Sequence, residues 1–177
     1  MATKQAAALE EYQRRARAGR ESFVAEHPHL FLVRLAPAAA EPVDEWSDPC
    51  DFQTRVEHDD EDDEDASDPL WTHEVGLIIA PVVKRAGGPF PDRIGVGRAR
   101  NCDVVVRFPA VSKLHATFHV GTPLTLADMG SANGTRVNGE ALERRVPRRV
   151  AIGDRIELGK IELKLLDAAA LFELLRE

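Results

Sequence analysis

The fold is indicated by two neighbouring stretches of the sequence, VGRARNCDVVV at residues 96–106 and VSKLHATF at residues 111–118. Each of them combines a short run of β-branched, aliphatic or aromatic residues with a group of polar residues. Short apolar runs of this composition, bounded by turn residues, are typical of β-strands. The polar groups fall where these strands end, so the sequence predicts loops that carry several hydrogen-bond donors.

The same pattern repeats every eight to twelve residues after Trp71. Short strands at that spacing, punctuated by turn residues, predict an all-β sandwich. The pair Asn138-Gly139 is the strongest hairpin signal, because a type I′ turn needs positive φ at both positions. The predicted strands cover residues 74–83, 93–97, 103–106, 114–120, 124–128, 135–142, 149–152 and 155–166.

The two ends of the chain have helical rather than strand periodicity. Residues 4–26 are rich in alanine and predict a helix with a weak point at Gly19. The segment HLFLVRL at 29–35 predicts either a short strand or an apolar docking segment. Asp167 can cap a helix in the tail that follows it. We therefore assign residues 1–40 to an amino-terminal helical arm and residues 167–177 to a short carboxy-terminal helix.

Charge is distributed very unevenly along the chain. Residues 41–73 contain one basic and fourteen acidic residues, whereas residues 74–166 contain fifteen basic and nine acidic residues. Like charges at that density repel each other, and the few apolar residues of this stretch cannot offset the entropy of ordering it. The sequence thus predicts an acidic disordered linker at 41–70, followed by a domain that favours anionic partners.

Composition also excludes several classes of protein. Cys50 and Cys102 form no C-x-x-C pair and have no metal-ligand spacing with the histidines. We therefore expect a reduced, cytoplasmic chain without a metal or another cofactor. The first residues contain no apolar core of a signal peptide, and no run approaches the roughly 18 apolar residues of a membrane span. Neither export nor membrane insertion is expected.

The predicted loops contain many donors and few carboxylates. A guanidinium, an ammonium, a hydroxyl and an amide in one set of loops suit an oxyanion, and phosphate is the natural candidate. The residues concerned are Gly97, Arg98, Asn101, Ser112, Lys113, His115 and the stretch GSANGTRVNG at 130–139.

Four blocks in order resemble the forkhead-associated (FHA) domain, a phosphothreonine-peptide binding sandwich: GRARNCDVVV, VSKLHATF, LADMGSANGTRVNG and AIGDRIELG. The resemblance covers residues 74–166. It implies a β-sandwich of two mostly antiparallel sheets with eleven strands, whose loops at one end hold an extended phosphopeptide. It also implies a binding module without enzymatic activity. We accordingly assign residues 71–166 to an FHA domain.

The resemblance assigns roles to individual residues. It implies that Arg98 binds the phosphate, that Ser112 donates its hydroxyl to it, and that Lys113 adds a further phosphate contact. Asn133 corresponds to the asparagine that holds the main chain of the ligand. Where many relatives have a Ser or Thr before this asparagine, Ala132 supplies no hydroxyl donor. The supporting residues are Gly97, His115, which braces the Ser112 loop, Gly134, Asn138 and Gly139.

The function predicted on this basis is a phosphothreonine-binding adaptor in Ser/Thr-kinase signalling. Two alternatives remain: a phosphate-independent protein scaffold whose FHA site has lost phosphate binding, and nucleic acid binding through the arginines of residues 144–149. The acidic linker and the scarcity of aromatic residues oppose nucleic acid binding. A catalytic triad of Ser112, Asp128 and His115 would need a nucleophile elbow, for which the sequence has no signal.

Thr54 is the single threonine between Glu41 and Pro69. FHA domains generally prefer phosphothreonine to phosphoserine, so the resemblance suggests that phosphorylated Thr54 is a ligand of its own chain, at Arg98 and Ser112. A flexible chain of about nineteen residues, the separation from the domain, spans about 25 Å. Without phosphorylation, the acidic run is expected to screen the basic face.

Overall fold

The computed structural model describes residues 4–34, 78–88 and 90–176, which form two packed β-sheets and three helices. The predicted linker at 41–70, with Thr54 and Cys50, lies outside the described residues. No helix in the described ranges is long and apolar enough to cross a membrane. The elements are α1 (Lys4–Ala16), α2 (Arg20–Glu26), β1 (Leu30–Arg34), β2 (Ile78–Val82), β3 (Arg93–Gly97), β4 (Val104–Val105), β5 (Ala116–His119), β6 (Thr125–Asp128), β7 (Thr135–Val137), β8 (Glu140–Ala141), β9 (Arg148–Arg149), β10 (Arg155–Leu158), β11 (Ile161–Leu166) and α3 (Ala168–Leu174).

One sheet has six strands in the order β2-β1-β11-β10-β7-β8, and its described pairs are antiparallel. Along β11, buried and exposed residues alternate, with Leu163 buried and Glu162 and Lys164 exposed. The side chains of a strand point to opposite faces in turn, so this alternation directs the leucines into the protein.

The second sheet has five strands in the order β4-β3-β5-β6-β9. Strand β3 pairs in parallel with β4 and antiparallel with β5. Strand β6 pairs antiparallel with β5 on one side and with β9 on the other. Apolar residues from both sheets, among them Val96, Phe118, Leu126, Ile156 and Leu165, form one buried cluster. The predicted sandwich of two mostly antiparallel sheets is therefore confirmed.

The segment at 29–35 forms a strand, and this strand belongs to the sandwich. Strand β1 lies between β2 and β11 in the six-stranded sheet. Leu32 joins the core between the sheets, whereas Phe31 and Val33 join a second apolar cluster on the other face. A strand covered on both faces needs a continuous apolar run, which explains FLV here. The predicted FHA domain at 71–166 does not include this strand. The two proposed boundaries of the acidic linker, at 40/41 and 70/71, lie outside the described residues.

The helices cover the outer face of the six-stranded sheet. Phe23 of α2 lies 5.8 Å from Phe172 of α3, measured between ring centroids, and both contact the cluster around Phe31. The predicted helix at 4–26 is divided in two, because Gly19 has a φ of 114° that interrupts helical geometry. The predicted cap of α3 is present, since the Ala170 N–H donates to the Asp167 carboxylate at 2.7 Å.

The predicted hairpin is also present. Asn138 and Gly139 have φ values of 53° and 84° and connect β7 to β8. The Asn138 side chain donates to Asp154 and accepts from the backbone N–H of Arg155, both at 2.9 Å. These contacts fix the turn at the end of β7 that lies away from Asn133.

Candidate functional site

Three loops meet at one end of the sandwich: residues 98–103, residues 106–115 and residues 129–134. They follow Gly97, the last residue of β3, and connect β4 to β5 and β6 to β7. We call the surface formed by these three loops the loop face. Loops held by a rigid sandwich are common positions for binding residues.

The loop after β3 is joined to the loop before β5 by its backbone. The N–H of Arg98 donates to the carbonyl of Ser112 at 2.9 Å, and Ala99 donates to Lys113 at 3.0 Å. A Cβ at Gly97 would lie 2.2 Å from the Lys113 carbonyl oxygen, so only glycine permits this approach. The predicted residues Arg98, Ser112 and Lys113 are therefore neighbours.

The Arg98 side chain lies at the surface of this joined pair of loops. It is exposed, and its Nε donates to the Val111 carbonyl at 3.3 Å. Among the described residues, no carboxylate forms an ion pair with Arg98. Its charge is thus held beside Ser112 without being neutralised by a neighbouring acid.

His115 is fully buried and joins two loops through both of its ring nitrogens. Its Nδ1 accepts the backbone N–H of Ser112 at 3.0 Å, and its Nε2 donates to the Gly134 carbonyl at 3.0 Å. Both contacts require a neutral imidazole with the proton on Nε2. Burial lowers the pKa of His115, against opposing contributions from the Gly134 carbonyl and Asp128. The neutral form is therefore the one that the fold favours.

The loop at 129–134 also donates hydrogen bonds to the loop at 106–115. The N–H of Ala132 donates to the Ser112 hydroxyl oxygen at 3.0 Å, and the Asn133 side-chain amide donates to the Ala110 carbonyl at 2.9 Å. Gly134 has a φ of 77°, a value that disfavours other residues. Ser112 and Asn133 are thus brought to adjacent positions on the loop face.

Asp128 organises the same loop from below, a role that sequence reasoning did not assign. Its buried carboxylate accepts the backbone N–H groups of Gly130 and Ser131 and the hydroxyls of Ser131 and Thr135. Burial by itself would raise the pKa of Asp128, but these four hydrogen bonds outweigh it and lower the pKa. The signal in the sequence is Asp128 followed two and three residues later by Gly130 and Ser131, a pattern typical of side-chain-capped turns.

The contacts described above do not form a hydrolase triad. His115 bonds the backbone of Ser112 rather than its hydroxyl, and Asp128 bonds Ser131 and Thr135 rather than His115. Within the described part of the chain, no cluster of three His, Cys, Asp or Glu side chains could hold a metal ion. Cys102 is buried beneath the loops, donates to the Lys113 carbonyl, and has a pKa raised by burial.

Of the nine residues predicted for the site, seven lie on the loop face or immediately beneath it. Asn138 and Gly139 do not, because they form the turn at the far end of β7. The seven are Gly97, Arg98, Ser112, Lys113, His115, Asn133 and Gly134.

Residues 94–159 match the family model of the FHA domain. The glycogen accumulation regulator GarA of Mycolicibacterium smegmatis is 37% identical over 71 residues, which are 40% of this chain and 43% of GarA. The mouse angiogenic factor with G patch and FHA domains 1 is 31% identical over 127 residues, 64% of this chain and 17% of that protein. A solved FHA domain of FhaA, complexed with the intracellular domain of Rv3910, is 30% identical with a TM-score of 0.38, over 41% of this chain and 78% of that one.

The chain contains an FHA domain, and the predicted family is confirmed. The FHA domain is a phosphothreonine-binding module of signalling proteins and not an enzyme. The chain spans less than half the length of either curated relative.

Proposed function

We propose that this chain is a non-enzymatic adaptor that binds phosphothreonine peptides in Ser/Thr-kinase signalling in the cytoplasm. One observation carries the proposal: Arg98 and Ser112, a cation and a hydroxyl, are joined by a backbone hydrogen bond of 2.9 Å at the exposed loop face. A guanidinium next to a hydroxyl offers donors that match the charge and the acceptor oxygens of a phosphate.

The hydroxyl of Ser112 has a donor left for the ligand. Its oxygen accepts the Ala132 N–H at 3.0 Å, and its own proton is not needed for that bond. Phosphothreonine carries about −1.5 to −2 charges at neutral pH and three acceptor oxygens. Arg98 and Ser112 therefore supply complementary donors to one phosphate, and Lys113, exposed in the same loop, adds positive charge.

Asn133 is proposed to hold the main chain of the peptide. Its amide nitrogen donates to Ala110, which fixes the side chain at the junction of two loops. The amide carbonyl can accept an N–H from an extended peptide. Such a contact reads the backbone beside the phosphothreonine and requires no particular neighbouring side chain.

The proposal is tested by calorimetric titration with three peptide pools that differ only in phosphothreonine, phosphoserine or threonine. The proteins are the wild type, Arg98→Ala and a matched control, Arg155→Ala. Arg155 is also an exposed arginine, and it lies at the end of β10 away from the loop face.

The expected result is binding that requires phosphothreonine, is lost in Arg98→Ala and is retained in Arg155→Ala. Removing one partner of a desolvated charged pair costs about 2–5 kcal/mol, which is a loss of roughly thirtyfold or more. Equal binding of the phosphorylated and unphosphorylated pools would favour a phosphate-independent scaffold instead.

A self-ligand at Thr54 is part of the same proposal. The described residues on either side of the segment 35–77 are paired, since Arg34 faces Ile78 across β1 and β2. The Arg34 guanidinium lies 4.8 Å from the ring centroid of Phe108, which belongs to the loop at 106–115. Arg34, the last described residue before the segment that contains Thr54, therefore lies beside the loop face, which supports the proposed intramolecular contact and a high effective concentration.

Two measurements test the self-ligand. Treatment with a Ser/Thr kinase that phosphorylates Thr54 should lower the apparent affinity for an added phosphothreonine peptide. The same treatment of Thr54→Val should leave that affinity unchanged. Deleting residues 41–70 should raise the affinity of the unphosphorylated chain at low salt, with a smaller gain at high salt because the charges are screened. An unchanged affinity at low salt would contradict electrostatic screening by the acidic run.

A further inference from the structure

The turn at residues 142–145 is fixed across the base of the loop that carries Asn133. On one side, the N–H of Leu142 donates to the Thr135 carbonyl at 2.9 Å. On the other side, the N–H of Arg145 donates to the Asp128 carbonyl at 2.7 Å. Asp128 ends β6 and Thr135 begins β7, so the turn bridges both strands from which the loop at 129–134 arises. Its position relative to the loop face is therefore set by the two sheets.

Two consecutive arginines occupy the exposed part of this turn. Arg144 and Arg145 are both exposed, whereas Leu142 is partly buried against the core. Arg145 has a φ of 63°, a left-handed conformation that is unfavourable for a residue with a Cβ. The short bond to Asp128 holds it there. Non-glycine residues in this conformation are often found at functional sites, and here the conformation fixes an arginine beside the loop face.

The charge of these two arginines is not neutralised by the contacts described. In the same segment, Arg148 forms an ion pair with Glu140. Arg144 and Arg145 form no such pair within the described part of the chain, and Glu143 is the one acidic residue of the turn. The carboxylate of Asp128 is buried and already accepts four hydrogen bonds. The turn thus presents a cationic surface next to the Asn133 loop.

We propose that Arg144 and Arg145 select phosphothreonine peptides that carry acidic residues close to the phosphorylated position. The inference rests on the proposed function, because the loop between Asp128 and Thr135 holds the peptide main chain through Asn133. An extended peptide advances about 3.3 Å per residue, so residues two to four positions from the phosphothreonine lie about 7–13 Å from it. Acidic side chains at those positions meet the cationic turn, and basic side chains are repelled.

The test uses fluorescence anisotropy with phosphothreonine peptides that differ only in flanking residues. One peptide has alanine on both sides, and two others carry aspartates at the second to fourth positions, either before or after the phosphothreonine. The variant is Arg144→Gln/Arg145→Asn, because asparagine tolerates positive φ and preserves the turn. The matched control, Arg149→Gln/Arg155→Gln, removes the same charge from exposed residues away from the loop face.

The wild type should bind one of the aspartate peptides about threefold to thirtyfold more tightly than the alanine peptide, as expected for two solvent-exposed charge contacts. That ratio should fall to about one in Arg144→Gln/Arg145→Asn, and binding of the alanine peptide should remain within about twofold of the wild type. The control should keep the ratio of the wild type.

Several outcomes would overturn the inference, and they separate it from the proposed function. If the preference for the aspartate peptide over the alanine peptide is retained in Arg144→Gln/Arg145→Asn, or is lost equally in the control, the role of the turn is overturned. Phosphothreonine binding itself is unaffected by that result. No binding of any phosphothreonine peptide overturns both. Preferential binding of a single-stranded oligonucleotide, lost in the turn variant, would assign the arginines to nucleic acid instead.

Discussion

Ser112 and His115 are joined by a hydrogen bond inside one loop: the Ser112 backbone N–H donates to His115 Nδ1 at 3.0 Å. The opposite ring nitrogen donates to Gly134, in the loop that carries Asn133. The neutral imidazole therefore fixes the position of the proposed phosphate-binding hydroxyl relative to the residue proposed to hold the peptide.

His115→Asn should destabilise the fold and weaken phosphopeptide binding together. The substitution removes two buried hydrogen bonds, each of which costs about 1–3 kcal/mol when a partner is left unsatisfied. Chemical denaturation and peptide titration measure the two effects. The control is His119→Asn, since His119 lies partly exposed on β5. A His115 variant that keeps wild-type affinity would show that peptide binding does not require the two hydrogen bonds of His115.

Stability should fall as the pH is lowered through the range in which His115 titrates. The ordinary histidine pKa is 6.5, and burial lowers the pKa of His115 in the folded state. The folded state therefore binds fewer protons than the unfolded chain, so stability is fully present above pH 6.5 and decreases below it. The difference in unfolding free energy between the wild type and His115→Asn should shrink over that interval. A difference independent of pH would contradict this assignment.

Gly97→Ala should disrupt the joined loops. A Cβ at this position would lie 2.2 Å from the Lys113 carbonyl oxygen and 2.9 Å from the Leu114 Cα, both of which are backbone atoms. Overpacking of this kind costs about 1–3 kcal/mol, and here it separates Arg98 from Ser112. Thermal unfolding and peptide titration should both respond. Gly121→Ala is the control, because its nearest such atom is 3.9 Å away.

Asp128→Ala should abolish phosphopeptide binding, although the described hydrogen bonds of its carboxylate are all with residues that are not proposed to contact the ligand. It leaves the hydroxyls of Ser131 and Thr135 and two backbone N–H groups without their buried acceptor. The expected loss of stability is about 2–5 kcal/mol. Asp92→Ala, at an exposed aspartate, should leave both properties unchanged. Retained binding in a folded Asp128→Ala protein would contradict the role given to this carboxylate.

The sequence predicted the strand-rich fold and the grouping of Arg98, Ser112 and His115, because alternation and donor-rich strand ends are local signals. It did not predict that β1 enters the six-stranded sheet, since pairing between residues 30–34 and 161–166 is a long-range contact. The role of Asp128 was also missed, because a buried carboxylate becomes intelligible when its four donors are known. Asn138 and Gly139 were correctly predicted as a turn, but their distance from the loop face depends on the direction of β7.

The most direct test of a phosphothreonine site on the loop face is an amide chemical-shift titration of the full chain with a phosphothreonine peptide and its unphosphorylated counterpart. We predict large perturbations at Arg98, Ser112, Ala132 and Asn133 with the phosphorylated peptide, and small ones throughout with the other. Perturbations confined to α1, α2 and α3, or equal responses to both peptides, would contradict the account and indicate a scaffold that does not recognise phosphate.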